Sequence, residues 1–404
     1  MSSAQAVRTS VRVASPHGRK AFEAGPPDFP RARGCAVYSA AGQSISCRRS
    51  RPRVFLQLRH AHPEDAVERA VPDLAAANQV LERCRPDVEH FLARRNDQYR
   101  ATFGSDIEPT LARCETALRL GLTRLGVRHG SWGDDFHHYH NENHVLEILD
   151  GRIGQMISRI GLASMALDDW MALSLFAACH DLRQREEVDF SYPVGNNESA
   201  SIAETRRILA QCGFDPKRDR RLMMALDLMI AGSTFDPRPT PPPSEFNSAE
   251  VVATAGALAP KLDVFLDHEM PGWRDDSDAV RGVELAHIAS DLDTANVGEA
   301  FAWLAESASR LCQEREMRGG RALEDAVSGD PCVGFLSTGQ ERYFFELHQF
   351  CSLQGRATFG EQKSANAGPL RRVAEDMRQT FDGRRDQVSG LEVVRTFSKL
   401  ALKH

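Results

Sequence analysis

The chain has 404 residues, of which 42% are hydrophobic and 7% aromatic, and its formal net charge is −6. This length can bury a substantial core in one large domain or two ordinary ones. It contains no apolar run of the ~18 residues that a membrane helix needs, and its acidic balance argues against a nucleic-acid-binding surface. The nine cysteines form no CxxC pair, which favours buried thiols in a reducing compartment. We therefore expect a soluble cytoplasmic protein.

The N-terminal segment differs in composition from the rest of the chain. Residues 1–60 hold eleven Lys and Arg side chains against the two acids Glu23 and Asp28. Residues 1–62 are rich in Arg, Ser, Ala, Pro and Gly without a sustained apolar period, which predicts a disordered basic segment. An organelle transit peptide is an alternative interpretation, because such peptides are also rich in Arg and Ser and poor in acids. A start codon placed too early is another.

From Pro63 onward, apolar residues recur at helical spacing, which predicts an all-α domain over 63–355. The main predicted helices cover 143–159, 167–182, 197–212, 218–231, 249–266, 281–295, 298–318 and 340–353. The segment 236–280, with its Pro-rich loop and Trp273, is expected to set substrate choice, and a lid is one form that it could take. Residues 356–404 are predicted to be a helical appendage, in which two short helices over 369–402 could pack against a partner subunit.

Imidazole side chains crowd the segment from His137 to His144. In a helix that begins near Tyr139, His140 and His144 lie at i and i+4 and project from one face. That arrangement suits a ligand at the edge of the core. Adjacent side chains cannot share a helix face, so we expect His137 and His138 to lie at the surface or to support a neighbouring ligand.

Two further apolar helices are predicted to end in groups that bind metals. His180 and Asp181 follow one of them, where a buried carboxylate is costly unless a cation or another partner satisfies it. The second helix ends with Asp291 and Asp293, and either carboxylate could join a metal site. His287, four residues before Asp291, is expected to be a core residue or to support a ligand, with an extra metal ligand as the alternative. Together these residues predict a site for a divalent metal.

The order His…His-Asp…Asp on successive helices resembles the HD-domain superfamily of metal-dependent phosphohydrolases, over residues 130–315. The segment Tyr-His-Asn-Glu-Asn-His-Val at 139–145 is similar to the signature of cyclic-nucleotide phosphodiesterases, a branch of that superfamily. The resemblance implies an all-α, HD-domain-like helical bundle. The metal ligands that it implies are His144, His180, Asp181 and Asp291. Asp291 matches the pattern better than Asp293 does.

The resemblance also implies a mechanism. A water activated by the metal would attack a phosphomonoester or phosphodiester, most naturally that of a nucleotide. Asp181 or Asp291 would accept a proton from the water, and His140 would protonate the departing oxygen. Mixed His and Asp ligation suits Mn²⁺, Fe²⁺, Co²⁺, Ni²⁺, Zn²⁺ or Mg²⁺, among which the sequence does not choose. The expected partner is a small phosphorylated substrate, with neither nucleic acid nor a membrane; the oligomeric state is not predicted.

Four residues after the His-Asp pair are candidates for substrate binding. Arg183 and Arg185 could hold a phosphate, or could form ion pairs with acids on a solvated loop. Asn197 and Glu198 resemble a segment that follows the metal site in small bacterial HD phosphohydrolases. Their alternative interpretation is a helix N-cap and a first-turn carboxylate that complements the helix dipole.

The sequence departs from the phosphodiesterase pattern just after His180-Asp181. Phosphodiesterases carry a second His there for a second metal, whereas here Gln184 or Arg183 stands in its place. We therefore expect one tightly held metal. The acids that could support a weaker second ion are Glu186, Glu187, Asp189 and Glu198. Two alternative functions are an HD-fold di-iron oxygenase and a catalytically silent nucleotide-binding module. The missing His disfavours the oxygenase, and the presence of all four matched ligands disfavours the silent module.

Overall fold

The computed structural model describes residues 55–189, 191–238 and 256–404. Residues 1–54 of the segment predicted to be disordered lie outside the described residues, and so does most of the predicted Pro-rich loop. Residues 55–62, which the prediction included in the disordered segment, are described. Leu56 is buried there, and its N–H donates to Oδ2 of Asp227 at 3.2 Å.

The prediction of an all-α fold is confirmed. The helices are α1 (Ala66–Ala70), α2 (Leu74–Cys84), α3 (Asp87–Phe103), α4 (Glu108–Arg128), α5 (Glu142–Leu146), α6 (Ile153–Ile160), α7 (Leu167–Cys179), α8 (Asn196–Gln211), α9 (Arg220–Gly232), α10 (Leu262–Glu269), α11 (Ser277–Asp293), α12 (Phe301–Arg318), α13 (Gly329–Gly334), α14 (Gln340–Arg342), α15 (Leu353–Thr380) and α16 (Gly390–Ala401). In the described ranges the strands are limited to β1 (Phe235–Asp236) and β2 (Gly256–Ala257), which pair antiparallel.

The core is built around α7, which packs against α4 and α9. Every residue of α7 from Trp170 to Cys179 is buried, as expected for a helix that is apolar on all sides. On its far side α9 lies against α11. Gly282 permits this close approach, because a Cβ atom there would come within 2.7 Å of Leu228 Cδ1. The groups that follow α7 and end α11 are therefore held by the most buried part of the molecule.

A π-helical turn, Glu147–Arg152, joins α5 to α6 in one continuous helix. Arg152 in this turn is fully buried, and its Nη1 donates to the backbone oxygens of Leu292 and Asp293 at 3.0 and 2.5 Å. The arginine thus ties this helix to the C-terminal end of α11. Such turns often lie at functional sites.

The C-terminal region differs from the prediction of two short helices. It contains one helix of 28 residues, α15, and then α16. α15 crosses residue 355, where the sequence suggested a boundary. Asn366 of α15 donates to the backbone oxygens of Val297 and Glu299 at 2.9 and 2.8 Å, so contacts with the rest of the chain support a helix whose Gly, Ser and Pro residues do not favour it. α16 packs on α12, α13 and α15 of its own chain.

Trp273, which lies in the segment expected to set substrate choice, is buried, and its Nε1 donates to Oδ1 of Asp267 at 3.1 Å. The segment around Trp273 is therefore part of the packed structure. Among the described helices, none combines the length and the apolar character needed to cross a membrane.

Candidate metal centre

His180 follows the last residue of α7 and is almost completely buried, with 2% of its side chain exposed. Its Nδ1 lies 3.1 Å from the backbone oxygen of Phe176, and the two rings stack at 4.5 Å. A carbonyl oxygen can only accept, so the proton of the neutral ring is on Nδ1. Burial disfavours a second proton on Nε2, but Asp181 and Asp293 outweigh it and raise the pKa of His180; a bound cation would take the place of that proton.

His144 of α5 is fully buried and faces the same point. Its Nε2 lies 3.0 Å from Asp293 Oδ1, and its other nitrogen faces Glu147 Oε2 at 3.9 Å. Burial disfavours ionisation of Glu147, but His144 and nearby arginines outweigh it and lower its pKa to about 2. At 3.9 Å this contact is electrostatic and is not a hydrogen bond, and His144 Nδ1 has no hydrogen-bond partner.

Asp181 follows His180 and turns its two oxygens to different neighbours. Oδ1 accepts the side-chain N–H of Gln184 at 2.8 Å. Oδ2 lies 3.0 Å from His180 Nε2 and 3.8 Å from His144 Nε2. Gln184 thus orients the carboxylate of Asp181.

The prediction that Asp291 joins this cluster is wrong. Its Oδ1 accepts the N–H of Cys351 at 2.7 Å, and its Oδ2 accepts both the N–H and the hydroxyl of Ser352 at 2.8 and 2.5 Å. Asp293 lies at the site instead, with Oδ1 3.0 Å from His144 Nε2 and 3.4 Å from His180 Nε2. Residues two apart on a helix differ by about 200° in direction, so one carboxylate faces the imidazoles and the other caps α15.

The spacing of the four atoms is compatible with a divalent cation, and three of their residues, His144, His180 and Asp181, form a compact group of potential ligands. Ligand atoms about 2.1 Å from one ion and at right angles to each other are about 3 Å apart, close to three of the four distances above. His180 Nε2 and Asp181 Oδ2 are enclosed and lie 3.0 Å from each other. Burial disfavours ionisation of Asp181 and Asp293, but the neighbouring imidazoles outweigh it and lower the pKa of both carboxyls. Two carboxylates and two imidazoles then balance a charge of +2.

His140 contacts this centre from outside a helix. The prediction that a helix begins near Tyr139 is wrong, because α5 begins at Glu142 and its N-cap is Asn141, whose Oδ1 accepts the N–H of Asn143 at 2.9 Å. His140 lies in the preceding turn, and its ring centroid is 6.2 Å from that of His144.

Glu314 of α12 holds His140 in place. Its Oε1 lies 2.6 Å from His140 Nδ1, and its Oε2 accepts the backbone N–H groups of Tyr139 and His140 at 2.8 and 3.0 Å. Burial disfavours protonation of His140, but Glu314 and then Asp181 outweigh it and raise its pKa to about 9. The protonated form of His140 is therefore favoured near neutral pH.

Sequence reasoning missed Glu314. It lies 174 positions from His140, and α12 carries other acids that its sequence does not distinguish from it. His137, expected to lie at the surface or to support a ligand, is fully buried and also contacts Glu314, with Nδ1 3.2 Å from Oε1. Nε2 of His287 lies 3.1 Å from the backbone oxygen of Ala259, to which it donates.

A second group of potential ligands comprises His129, Asp135 and His137. His129 Nε2 accepts the backbone N–H of Gln184 at 3.1 Å. Burial, with the charges of His137 and Arg128, lowers the pKa of His129 to about 3, so its ring is neutral. Its one proton must be on Nδ1, 3.4 Å from Asp135 Oδ2, and no lone pair is left for a cation. Asp135 Oδ2 thus lies 3.4 Å from His129 Nδ1 and 3.3 Å from His137 Nε2, and His129 itself offers no free lone pair to a cation.

The two predicted phosphate-binding arginines are engaged elsewhere. Arg183 Nη2 lies 2.8 Å from Glu186 Oε1. Arg185 Nη2 lies 2.5 Å from Asp135 Oδ1. Both therefore follow the alternative interpretation, ion pairs with neighbouring acids.

Asn197 and Glu198 begin α8 beside the centre. Asn197 is not an N-cap: its Oδ1 accepts the N–H of Glu186 at 3.0 Å, and its Nδ2 donates to Gln184 Oε1 at 3.3 Å. Burial first, and then the charge of Asp181, raise the pKa of Glu198 to about 7. Gly195 makes room for this carboxyl, because a Cβ atom there would lie 2.1 Å from Glu198 Oε2.

No protein-family model and no curated protein matches this chain. A solved structure that resembles it is the phosphodiesterase domain of the RhoPDE fusion protein from the choanoflagellate Salpingoeca rosetta. The two are 14% identical, the similarity covers 81% of this chain and 97% of that domain, and the TM-score is 0.42. A similarity of this size establishes neither fold nor activity, so any functional argument rests on the site itself.

Proposed function

We propose that this protein is a metal-dependent phosphohydrolase of the HD-domain type, acting on a small phosphate ester, most naturally a nucleotide. One observation carries the proposal. Nε2 of His180 and Oδ2 of Asp181 are enclosed and lie 3.0 Å apart, next to His140, whose ring is fixed by Glu314. Two lone pairs at that distance repel unless a proton or a cation lies between them.

The cation would be held by His144 Nε2, His180 Nε2, Asp181 Oδ2 and Asp293 Oδ1. A divalent ion supplies Lewis acidity there, making water more acidic and offsetting the charge of a phosphoryl group. Asp181 Oδ1 is already bonded to Gln184, so we assign Asp181 as a ligand. For the proton of the attacking water we propose Glu198 as acceptor, because its half-buried carboxyl lies beside Asp181 without binding the cation.

His140 would protonate the departing ester oxygen from Nε2, since Nδ1 faces Glu314. For the substrate phosphate we propose Arg318, because Arg183 and Arg185 are held by acids. Arg318 lies at the end of α12, where its Nη1 is 3.5 Å from Gln184 Oε1 and 4.0 Å from Glu314 Oε1. These long contacts leave its guanidinium available to an anion.

The test combines metal analysis with phosphate release. Purified protein should bind about one equivalent of divalent transition metal, and with Mn²⁺ should release phosphate or nucleoside monophosphate from a panel of linear and cyclic nucleotides. The His180→Ala variant should lose both properties, while His287→Ala, an imidazole outside the centre, should keep them. Two equivalents of iron together with oxygen consumption would support the oxygenase instead. Metal binding with nucleotide affinity but no turnover would support the silent module.

A further inference from the structure

A cavity of about 660 Å³ lies between α3 and the continuous helix from α5 to α6, away from the metal centre. Its apolar wall includes Phe91, Leu149, Ile153 and Ile157. The volume falls within the range of pockets that bind small organic molecules. No residue assigned above to the metal, the proton donor or the substrate phosphate lines it.

The side chain of Arg95 lines this cavity and is 94% buried. Its Nε and Nη1 atoms are enclosed and have no hydrogen-bond partner. No carboxylate among the described residues lies within ion-pair distance of it. The guanidinium is flanked by the rings of Phe91 and Tyr99, whose centroids are 5.9 and 5.7 Å from its central carbon. Arg95 is thus a permanent positive charge in an aromatic setting without an anion.

The other buried arginines among the described residues, unlike Arg95, each have a carboxylate partner in the chain. Arg124 contacts Glu68 and the backbone oxygen of Val71. Arg128 contacts Asp65 and Glu204, and Arg152 contacts Glu299. Enclosing an unpaired charge is costly in free energy, and a partner that binds it recovers much of that cost. The contrast indicates that the partner of Arg95 is not part of this chain.

The charge around the cavity has the matching sign. Arg94 and Arg159 also line it, against one carboxylate, Asp150. Arg94 Nη2 lies 3.1 Å from Asp150 Oδ1, and Arg159 Nε donates to the backbone oxygen of Ala357. The cavity is therefore net positive even when Asp150 is ionised.

From this cavity and the unpartnered arginine we propose a second ligand site, which binds a small organic anion. Its carboxylate or phosphate head bonds to Arg95, and its apolar body lies against Phe91, Leu149 and Ile153. The wall formed by Leu149 and Ile153 belongs to the same continuous helix as His144. The ligand would therefore contact the support of the metal centre without touching the metal.

Binding is tested on the full chain after chelation, so that the metal centre cannot capture a phosphate probe. The calorimetric probes are phenyl phosphate, phenylacetate and inorganic phosphate, with benzyl alcohol as the neutral counterpart. At least one aromatic anion should bind at one site, at least about tenfold more tightly than benzyl alcohol. Comparing the affinities for phenyl phosphate and phenylacetate identifies the preferred anionic group. Comparing phenyl phosphate with inorganic phosphate measures how much the apolar ring contributes to the affinity.

Arg95→Gln should weaken the preferred anion at least about tenfold. The control Arg100→Gln, on the exposed end of the same helix, should not. Arg95→Met should unfold at the same temperature as the ligand-free wild type or higher, because it removes an unpaired charge. Failure of all anions to bind, equal binding by Arg95→Gln, or a strong loss of stability in Arg95→Met would each overturn the proposal. None of these outcomes depends on the phosphohydrolase proposal.

Discussion

Asp293 Oδ1 lies 3.0 Å from His144 Nε2, although 149 positions separate the two residues in the chain. The contact joins the end of α11 to the first turn of the α5–α6 helix. Asp291 lies two residues earlier in α11, on the opposite side of the helix. Its carboxylate accepts hydrogen bonds from Cys351 and Ser352 at the start of α15. The two aspartates therefore have separate roles, and each can be removed without the other.

Asp293→Asn should abolish tight metal binding, whereas Asp291→Asn should retain about one equivalent. Loss of groups that merely support ligands typically costs 10–100-fold in metal affinity, so removal of a direct ligand should cost at least about 100-fold. Titration of chelated protein with Mn²⁺ or Co²⁺, checked by elemental analysis, measures this. The reverse result, with metal lost from Asp291→Asn alone, would reinstate Asp291 as the ligand.

Asp291→Asn should instead lower stability, because its carboxylate accepts bonds from Cys351 and Ser352 at the N-terminus of α15. We expect a loss of about 1–3 kcal/mol in the free energy of unfolding, from denaturant titration. Ser352→Ala should lose about 0.5–2 kcal/mol, since its hydroxyl also caps the N–H of Gly355 at 2.8 Å.

Gly355→Ala tests the same contact by crowding it. A Cβ atom at Gly355 would lie 2.1 Å from Asp291 Oδ2, so the carboxylate must move and the variant should be destabilised. The control is Gly360→Ala in the same helix, where a Cβ atom meets nothing within 4 Å. Equal stability of these two variants would contradict the assigned cap.

If the proposed function holds, His140→Asn should lower kcat by about 10²–10⁴-fold, the usual contribution of a general acid, with metal content unchanged. The loss should be smaller for a p-nitrophenyl ester than for a nucleotide, because p-nitrophenolate needs no proton to depart. Glu314→Gln, which alters a positioning residue, should show the same dependence on the leaving group. Glu316→Gln is the matched control, since Glu316 is a buried acid of α12 that pairs with Arg321 at 2.5 Å. An equal loss for both esters would rule out proton donation by His140.

Asp65 should contribute a pH-dependent part of the stability. Burial disfavours its ionised form, but the Arg128 guanidinium and the N–H of Glu68 outweigh it and lower its pKa from 3.8 to about 2. Because the pKa of Asp65 is lower in the folded than in the unfolded state, its ionised form stabilises the folded protein at any pH above the unfolded-state pKa. This stabilisation is lost as the pH falls from about 4 toward 2. At pH 7 Asp65→Asn should therefore be less stable by on the order of 1–2 kcal/mol.

The measurement is denaturant unfolding of wild type and Asp65→Asn at several pH values. Their difference should shrink as the pH falls below about 4. Asp87→Asn, at an exposed pair with Arg85, should change stability by less than about 1 kcal/mol. A difference for Asp65→Asn that stays constant down to pH 3 would refute the ionic origin.

The sequence alone predicted the all-α class and most helices of the core, because their signals are local. Apolar spacing marks a helix wherever it is buried, and the fully apolar run before His180 indicated that the residues after it were held in the core. The resemblance to the HD-domain superfamily implied His144, His180 and Asp181 as metal ligands, and the structure brings these three residues together.

Only the tertiary structure decided which residues complete the site. Asp291 and Asp293 differ by a rotation about α11, which is set by packing against α9 and not by residue type. Glu314 is one of several acids on α12, and its role arises from a contact across 174 positions. α15 forms through Gly- and Ser-containing sequence because bonds such as those of Asn366 stabilise it. In each case the free energy comes from groups distant in sequence, which a local pattern does not contain.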